Sequence, residues 1–465
     1  MAAPASTIEA SRKLQRSVLV AASLASFLTP YMGSSINVSL PAIGHEFGAD
    51  AILLNWIATA FLLATAVFIV PAGRLADIHG RKRLFVAGLL VYLIGTTLCV
   101  FVPSVLALIG VRVVQGLGSA MVFGTAVALL SSVYPPAERG RALGISIASV
   151  YLGLTLGPSI GGFLTHSFGW RAIFLVTIPL GLIALALLLR IPGEWAEARG
   201  ERLDLVGSVL YGSGLCTLML GLSFLPGAMG LVLTLAGSVL LALFVWWELR
   251  VPSPVIQLSL FRDNRVYLFS NLAALINYSA TFGLGFLLSF YLQHVRDLDA
   301  QTAGLVLLSQ PLVQTVVSPF AGRASDRIEP RLLASAGMVL MVVGLAFFAF
   351  LDRFTPLSLI FGVLMLIGFG YGLFSSPNTN AIMGSVDRRF YGVASGMVST
   401  MRLIGQLLSL EIVMLALIVF VGRVQLSDLY DDDLLAAIRI SFAVFAVLCA
   451  LGVFASLARG SKKRE

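Results

Sequence analysis

Gly73-Arg74-Leu75-Ala76-Asp77-Ile78-His79-Gly80-Arg81-Lys82-Arg83 is a charged, glycine-punctuated turn lying between two long apolar runs. A weaker copy, Gly322-Arg323-Ala324-Ser325-Asp326-Arg327-Ile328-Glu329-Pro330-Arg331, follows at a spacing of 249 residues (Gly73 to Gly322). Two related polar turns in an otherwise oily chain predict a duplicated membrane protein. Composition points the same way. Of 465 residues, 58% are hydrophobic and 12% charged, whereas soluble domains carry about 25% charged residues. The net charge of +8 could suggest a nucleic-acid partner, but the basic residues sit in short clusters between apolar runs. That is a topology pattern, and no nucleic acid is expected.

A bilayer core needs about 20 apolar residues per helix. Fourteen such stretches are expected, at roughly 17–40, 52–72, 84–102, 104–133, 141–164, 171–190, 205–223, 227–247, 267–292, 301–321, 332–351, 355–383, 391–420 and 435–457. The first follows Arg12, Lys13 and Arg16 and is too long for the apolar core of a cleaved signal, so it reads as a retained span. Lys and Arg crowd one set of loops, while the alternate loops hold only Arg171, Arg296, Arg353, Arg423 and Arg439. This bias predicts both termini in the cytoplasm, which an even number of spans permits.

The repeat continues beyond the turns: Glu138-Arg139 matches Asp387-Arg388 at the same offset. Spans 7 and 8 have no counterpart. The expected plan is a cytoplasmic tail (1–16), a six-helix bundle (17–190), a charged linker (191–204), two inserted spans (205–250), a second six-helix bundle (265–458) and a short cytoplasmic tail (459–465). Parallel halves with a site between them at the midplane describe a secondary transporter. Cys99, Cys216 and Cys449 are scattered, as are His45, His79, His166 and His294, so neither a metal nor a cofactor site is expected. No metalloprotease, serine-hydrolase or nucleotide-loop motif is present, which argues against an enzyme.

The turn at 73–83 resembles the signature between spans 2 and 3 of the major facilitator superfamily, and the chain is similar to its fourteen-span drug:proton antiporters. The resemblance implies an all-α polytopic fold of two six-helix bundles plus two inserted helices. It also implies a gating role for Gly73, Asp77, Gly80, Arg81 and, in the second copy, Asp326. A plain positive-inside anchor would explain the Arg and Lys but not the Gly and Asp. Arg112-Val-Val-Gln115-Gly116 resembles the family's Arg-x-x-Gln-Gly motif, linked there to proton transfer. A charge at a helix centre costs about 2.5–3.5 kcal/mol on insertion scales, so Arg112 should face a cavity or partner unless it snorkels outward. Gly153-Leu-Thr-Leu-Gly157-Pro158-Ser-Ile-Gly161-Gly162 matches the pattern that marks antiporters in this superfamily. Its four-residue glycine spacing makes a smooth helix face.

Ser34-Ser35-Ile36-Asn37-Val38-Ser39-Leu40-Pro41 resembles a span-1 stretch of the same antiporters, which often carry Asp where this chain has Met32. A thioether cannot carry a proton. Glu411 is the acidic residue lying well within a span, and it becomes the proton-coupling candidate beside Arg112. At the repeat offset it corresponds to Gly162. Structural pairing with a neighbouring helix is the alternative. The substrate cavity is expected between the halves, with Asn37, Gln115, Tyr151, Asn277, Tyr278, Gln310, Gln314, Tyr371, Asn378 and Arg402 as candidate lining. The expected function is proton-driven export of amphipathic small molecules, cationic or neutral, by a monomer in the cell (inner) membrane. A lipid or lipid-linked exporter of the same fold is the alternative, and a membrane receptor or enzyme is a third class.

Overall fold

The computed structural model describes residues 5–196, 200, 203–251, 254–255, 259–325, 327–386, 391–422 and 431–460. Among them, fourteen helices are long and apolar enough to cross a membrane. In hydrocarbon an unpaired peptide group costs several kcal/mol, so helices that satisfy their own backbone are the form these runs can take. The chain runs through α1 (Ala5–Phe47), α2 (Ala51–His79), α3 (Arg81–Val100), α4 (Val105–Val133), α5 (Pro136–Phe168) and α6 (Ala172–Leu189). The inserted pair is α7 (Leu205–Ser223) and α8 (Ala228–Glu248), followed by the short α9 (Ser259–Asp263). The second bundle comprises α10 (Arg265–Thr281), α11 (Gly283–Phe290), α12 (Ala300–Ala324), α13 (Pro330–Phe348), α14 (Leu357–Met383), α15 (Tyr391–Phe420) and α16 (Asp431–Leu457).

Side-chain caps fix where several helices begin. The carboxylate of Asp50 accepts the Leu53 N–H at 2.7 Å, that of Asp204 the Gly207 N–H at 2.9 Å, and that of Asp299 the Thr302 N–H at 2.9 Å. Each satisfies an amide that has no partner within its helix. Outside the spans, these bonds from Thr302 hold Asp299 below the ordinary carboxyl range, and Thr355 and Phe354 do the same for Asp352.

Within the first bundle α1 packs on α5, and α2 and α3 pack on α4; in the second, α12 and α13 pack on α14, and α10 on α15 and α16. The bundles meet through α5 against α12 and α2 against α15. The inserted α7 and α8 pack on each other, and α7 also touches α2 and α15. Tyr211 of α7 donates to the Ala66 carbonyl at 3.0 Å.

An even number of crossings puts the start of α1 and the end of α16 at one end of the molecule. At the opposite, far end the bundles are bonded together. Ser289 donates to the Asn37 carbonyl at 2.8 Å, Gln293 to the Val38 carbonyl at 3.0 Å, and Asn55 to the Leu410 carbonyl at 3.3 Å. One apolar core runs across both bundles there, joining Met32, Ile36 and Leu40 to Phe286, Leu287 and Phe290. The molecule is therefore sealed at the far end.

Candidate functional site

The helix run that begins at Arg265 breaks at midspan, where α10 gives way to α11. Gly283 donates its N–H to the Ser409 hydroxyl of α15 at 2.9 Å. The break faces a cavity of about 180 Å³ between the two bundles, to which Thr281, Phe282, Leu284 and Gly285 contribute. The break is one of hydrogen bonding, since Phe282 keeps helical dihedral angles (φ −70°, ψ −40°).

Seven of the sequence-derived lining residues converge on this space: Asn37, Tyr151, Tyr278, Gln310, Gln314, Tyr371 and Arg402. Tyr278 and Tyr371 meet edge to face with ring centroids 5.9 Å apart. The Asn37 carbonyl oxygen Oδ1 is buried without a hydrogen-bond partner among the described residues. Arg402 lies 5.7 Å from the Phe123 ring centroid and is the charged group in the wall; no acidic side chain lines the cavity among the described residues.

The other three candidates lie elsewhere. Asn277 is buried, with its amide nitrogen 3.6 Å from the Met341 sulfur. Asn378 ties α14 to α10 by donating to the Ser270 carbonyl at 3.2 Å. Gln115 is buried behind the cavity, accepting from Arg112 at 2.5 Å and donating to Thr96 at 2.8 Å. Other lining residues went unread in the sequence, four of them with large polar or aromatic side chains. Gln406 follows Arg402 by one helical turn and could have been found by that spacing, whereas Phe61, Phe123 and Phe282 carry no signal that separates them from lipid-facing phenylalanines.

Arg112 does not snorkel. It is fully buried, donates to the Ile57 carbonyl at 3.1 Å, and stacks 4.2 Å from the Phe61 ring centroid. Phe61 lines the cavity, so the guanidinium sits one aromatic ring behind the wall. Its partners are a carbonyl, an amide and a π face, which share a buried cation's hydrogen-bonding demand without a carboxylate.

The glycine-proline stretch of α5 has two working faces. Gly153, Gly157 and Gly161 lie against α1; a Cβ on Gly161 would come within 2.7 Å of the Ser35 Cβ. Gly162 and Pro158 face the other bundle, against Ala300 and Gly304 of α12, where a Cβ on Gly162 would collide with the Ala300 carbonyl.

Among the described residues, the charged turn bonds to the first bundle and to the linker that follows it. Arg81 pairs with Asp77 at 2.7 Å and donates to Ser132 at 2.6 Å. Gly80, at φ +123°, links α2 to α3 in a conformation that side chains rarely adopt. The start of α3 is capped from the linker: the Glu194 carboxylate accepts the Lys82 N–H at 2.8 Å and the Arg83 N–H at 3.1 Å, and Lys82 donates to the Ile191 carbonyl. Gly73 approaches α4 at Gly124. Asp326 lies outside the described residues. Glu411 is absent from the central cavity. It is 3% exposed and accepts from Ser223 of the inserted α7 at 2.7 Å.

Comparison with known proteins fits this architecture. The Major Facilitator Superfamily pattern matches residues 22–410 and again 271–464. The chain belongs to the major facilitator superfamily. Multidrug resistance protein Stp of Mycobacterium tuberculosis (strain CDC 1551 / Oshkosh) is 33% identical over 399 residues, covering 84% of this chain and 74% of Stp. Riboflavin transporter RibZ of Clostridioides difficile (strain 630) is 30% identical over 387 residues, covering 83% of this chain and 84% of RibZ. A crystal structure of a bacterial homologue of the human lysosomal transporter Spinster, inward-facing and unoccupied, superposes with a TM-score of 0.70 at 18% identity, covering 96% of this chain and 97% of that one. This major facilitator protein is a multi-pass transporter and not an enzyme.

Proposed function

We propose that this chain is a proton-coupled exporter of neutral or anionic amphipathic aromatic compounds, working by alternating access in the fourteen-span drug:proton antiporter branch. The observation that carries the reading is the central cavity. Its wall of tyrosines, phenylalanines and amides holds a single cation, Arg402, and no carboxylate among the described residues. Aromatic walls accept planar apolar bodies, and the few convergent polar groups fix orientation. A fixed cation facing that space favours an anion or a neutral dipole over a cation. This keeps the neutral class expected from sequence, and replaces the cationic class by an anionic one. Relatives named for multidrug resistance and for riboflavin transport support drug-like and aromatic cargo.

Direction rests on the lysine and arginine bias, from which we assign both termini to the cytoplasm; we take the chain to act as a monomer in the cell membrane. The cavity sealed at the far end is then closed to the outside and takes cargo from the inner side. Protons couple through Glu411, since Met32 replaces the usual span-1 acid. The carboxyl lies on α15, the helix that also carries Arg402 and Gln406 into the cavity wall. Gain or loss of its proton would alter the contact with Ser223 and so the seating of α15.

The test is transport in inside-out vesicles with a panel of neutral, anionic and permanently cationic aromatic dyes. Uptake of neutral and anionic dyes should require an imposed proton gradient and vanish with a protonophore. Glu411→Gln should cut gradient-driven uptake at least tenfold at normal expression. Uptake indifferent to the gradient would end proton coupling, and equal handling of permanent cations would end the charge assignment. Lipid translocation without dye transport would favour the lipid exporter.

A further inference from the structure

A second cavity lies outside the central one, between the end of α7 and the faces of α10, α15 and α16. It has a volume of about 340 Å³ and a wall of Leu222, Leu275, Ile276, Leu415 and Leu448, among other aliphatic residues, with two polar members, Ser279 and Glu411. We propose that this crevice is a binding site for hydrophobic amines that enter from the bilayer, with the ammonium head on Glu411 and the apolar tail along the leucine wall.

Three observations converge. First, one Glu411 oxygen accepts from Ser223 at 2.7 Å, while the other, Oε1, is buried with no hydrogen-bond partner among the described residues. A buried carboxyl oxygen in an aliphatic wall is costly unless it is paired, and an ammonium supplies a charge-assisted bond of the strong kind. Second, nothing else in the wall competes for it. Ser279 spends its hydroxyl on the Leu275 carbonyl at 2.8 Å, and no Lys, Arg or His lines the crevice among the described residues. Third, the surroundings lead to lipid. One turn from Ile276 and Leu448, Leu272 is 37% exposed on α10 and Leu451 is 54% exposed on α16. Glu411 lies nine residues before the end of α15 at Phe420, or about 13 Å at 1.5 Å per residue, a depth that an alkyl amine can reach from the bilayer.

The polarity is opposite to that of the central cavity, whose charged member is Arg402. A hydrophobic cation disfavoured in one space therefore finds a matched acid in the other. The site concerns equilibrium binding and does not rest on proton-coupled export; where both hold, amine and proton compete for the same carboxyl.

The experiment uses the full chain in phosphatidylcholine nanodiscs, photolabelled at neutral pH with a diazirine-bearing dodecylamine and, separately, with the matching diazirine dodecanol. The amine should label the segments around Leu275–Ser279 and Leu408–Leu415 at least tenfold more than the alcohol. Glu411→Gln should cut amine labelling there about tenfold, while Ser223→Ala, which keeps the acid, should retain it. Leu448→Trp, which fills the crevice and leaves Glu411 in place, should block it and decides the matter if Glu411→Gln does not fold. Equal labelling by amine and alcohol, or amine labelling undiminished in Glu411→Gln or in Leu448→Trp, would overturn the site and leave a groove for lipid chains only.

Discussion

Single residues set both the charge of the cavity and the cap on the helix that follows the charged turn. Arg402 projects into an aromatic space from α15, with Gln406 one turn beyond it. Reversing its charge tests what it selects. Arg402→Glu is expected to lower the KM for permanently cationic aromatic dyes and raise it for anionic ones, each by about tenfold, which is about 1.4 kcal/mol. Dye uptake in vesicles reads both numbers, and a change in kcat alone would point to a structural role. Glu194 is a second residue with a separable function. Its carboxylate caps two amides at the start of α3 from the charged linker. Removing a helix-start cap costs about 1 kcal/mol, so Glu194→Ala should lower the unfolding temperature of the detergent-solubilised protein by a few degrees, with Glu194→Gln losing less because it still accepts hydrogen bonds. An unchanged midpoint in Glu194→Ala would mean that the cap adds nothing to stability.

At the scale of elements, the helices were legible and their rotations were not. The fourteen apolar runs, the charged turn and its copy are written in composition and spacing, and the helices follow them closely. Which face of a span meets the cavity is a different question, because a helix apolar on all sides has no stripe from which to read its phase. Asn277 and its neighbour Tyr278 show the consequence: the tyrosine lines the cavity while the asparagine turns to Met341 in the bundle interior. Gln115 looked like lining and instead holds Arg112. Glu411 shows another limit. The internal repeat placed it opposite Gly162, yet its hydrogen-bond partner is Ser223, on an inserted helix that the repeat does not contain. The small-residue face of α5 was visible, and its division between two partners was not. Gly161→Ala drives a methyl toward the Ser35 Cβ and Cα within one bundle. Overpacking of this kind costs about 1–3 kcal/mol, so this variant should unfold earlier on heating while its open and closed populations stay as in the parent chain.

Across the whole molecule, the far-end seal decides which side the cavity faces. It consists of Gly162 and Pro158 against Ala300 and Gly304, the bonds from Ser289 and Gln293 to α1, and the apolar core that joins the bundles there. Adding a methyl at Gly162 sets it against the Ala300 carbonyl, which is backbone and cannot rotate away. The strain exists only while α5 and α12 touch, so it raises the energy of the sealed state and not of a state open at that end. A penalty of about 1–3 kcal/mol shifts the ratio of the two states by about 5- to 150-fold. The measurement is thiol accessibility. In a background with Cys99, Cys216 and Cys449 replaced, Leu307→Cys places a reporter on α12 in the cavity wall, at a residue 5% exposed in the sealed form. A membrane-impermeant maleimide added from the far side should label it slowly in the parent chain and at least fivefold faster once Gly162→Ala is present. The same reagent added from the side of the termini should label it more slowly in the variant, because one population grows at the expense of the other. Faster labelling from both sides would instead mean that the methyl loosens the bundle without switching it.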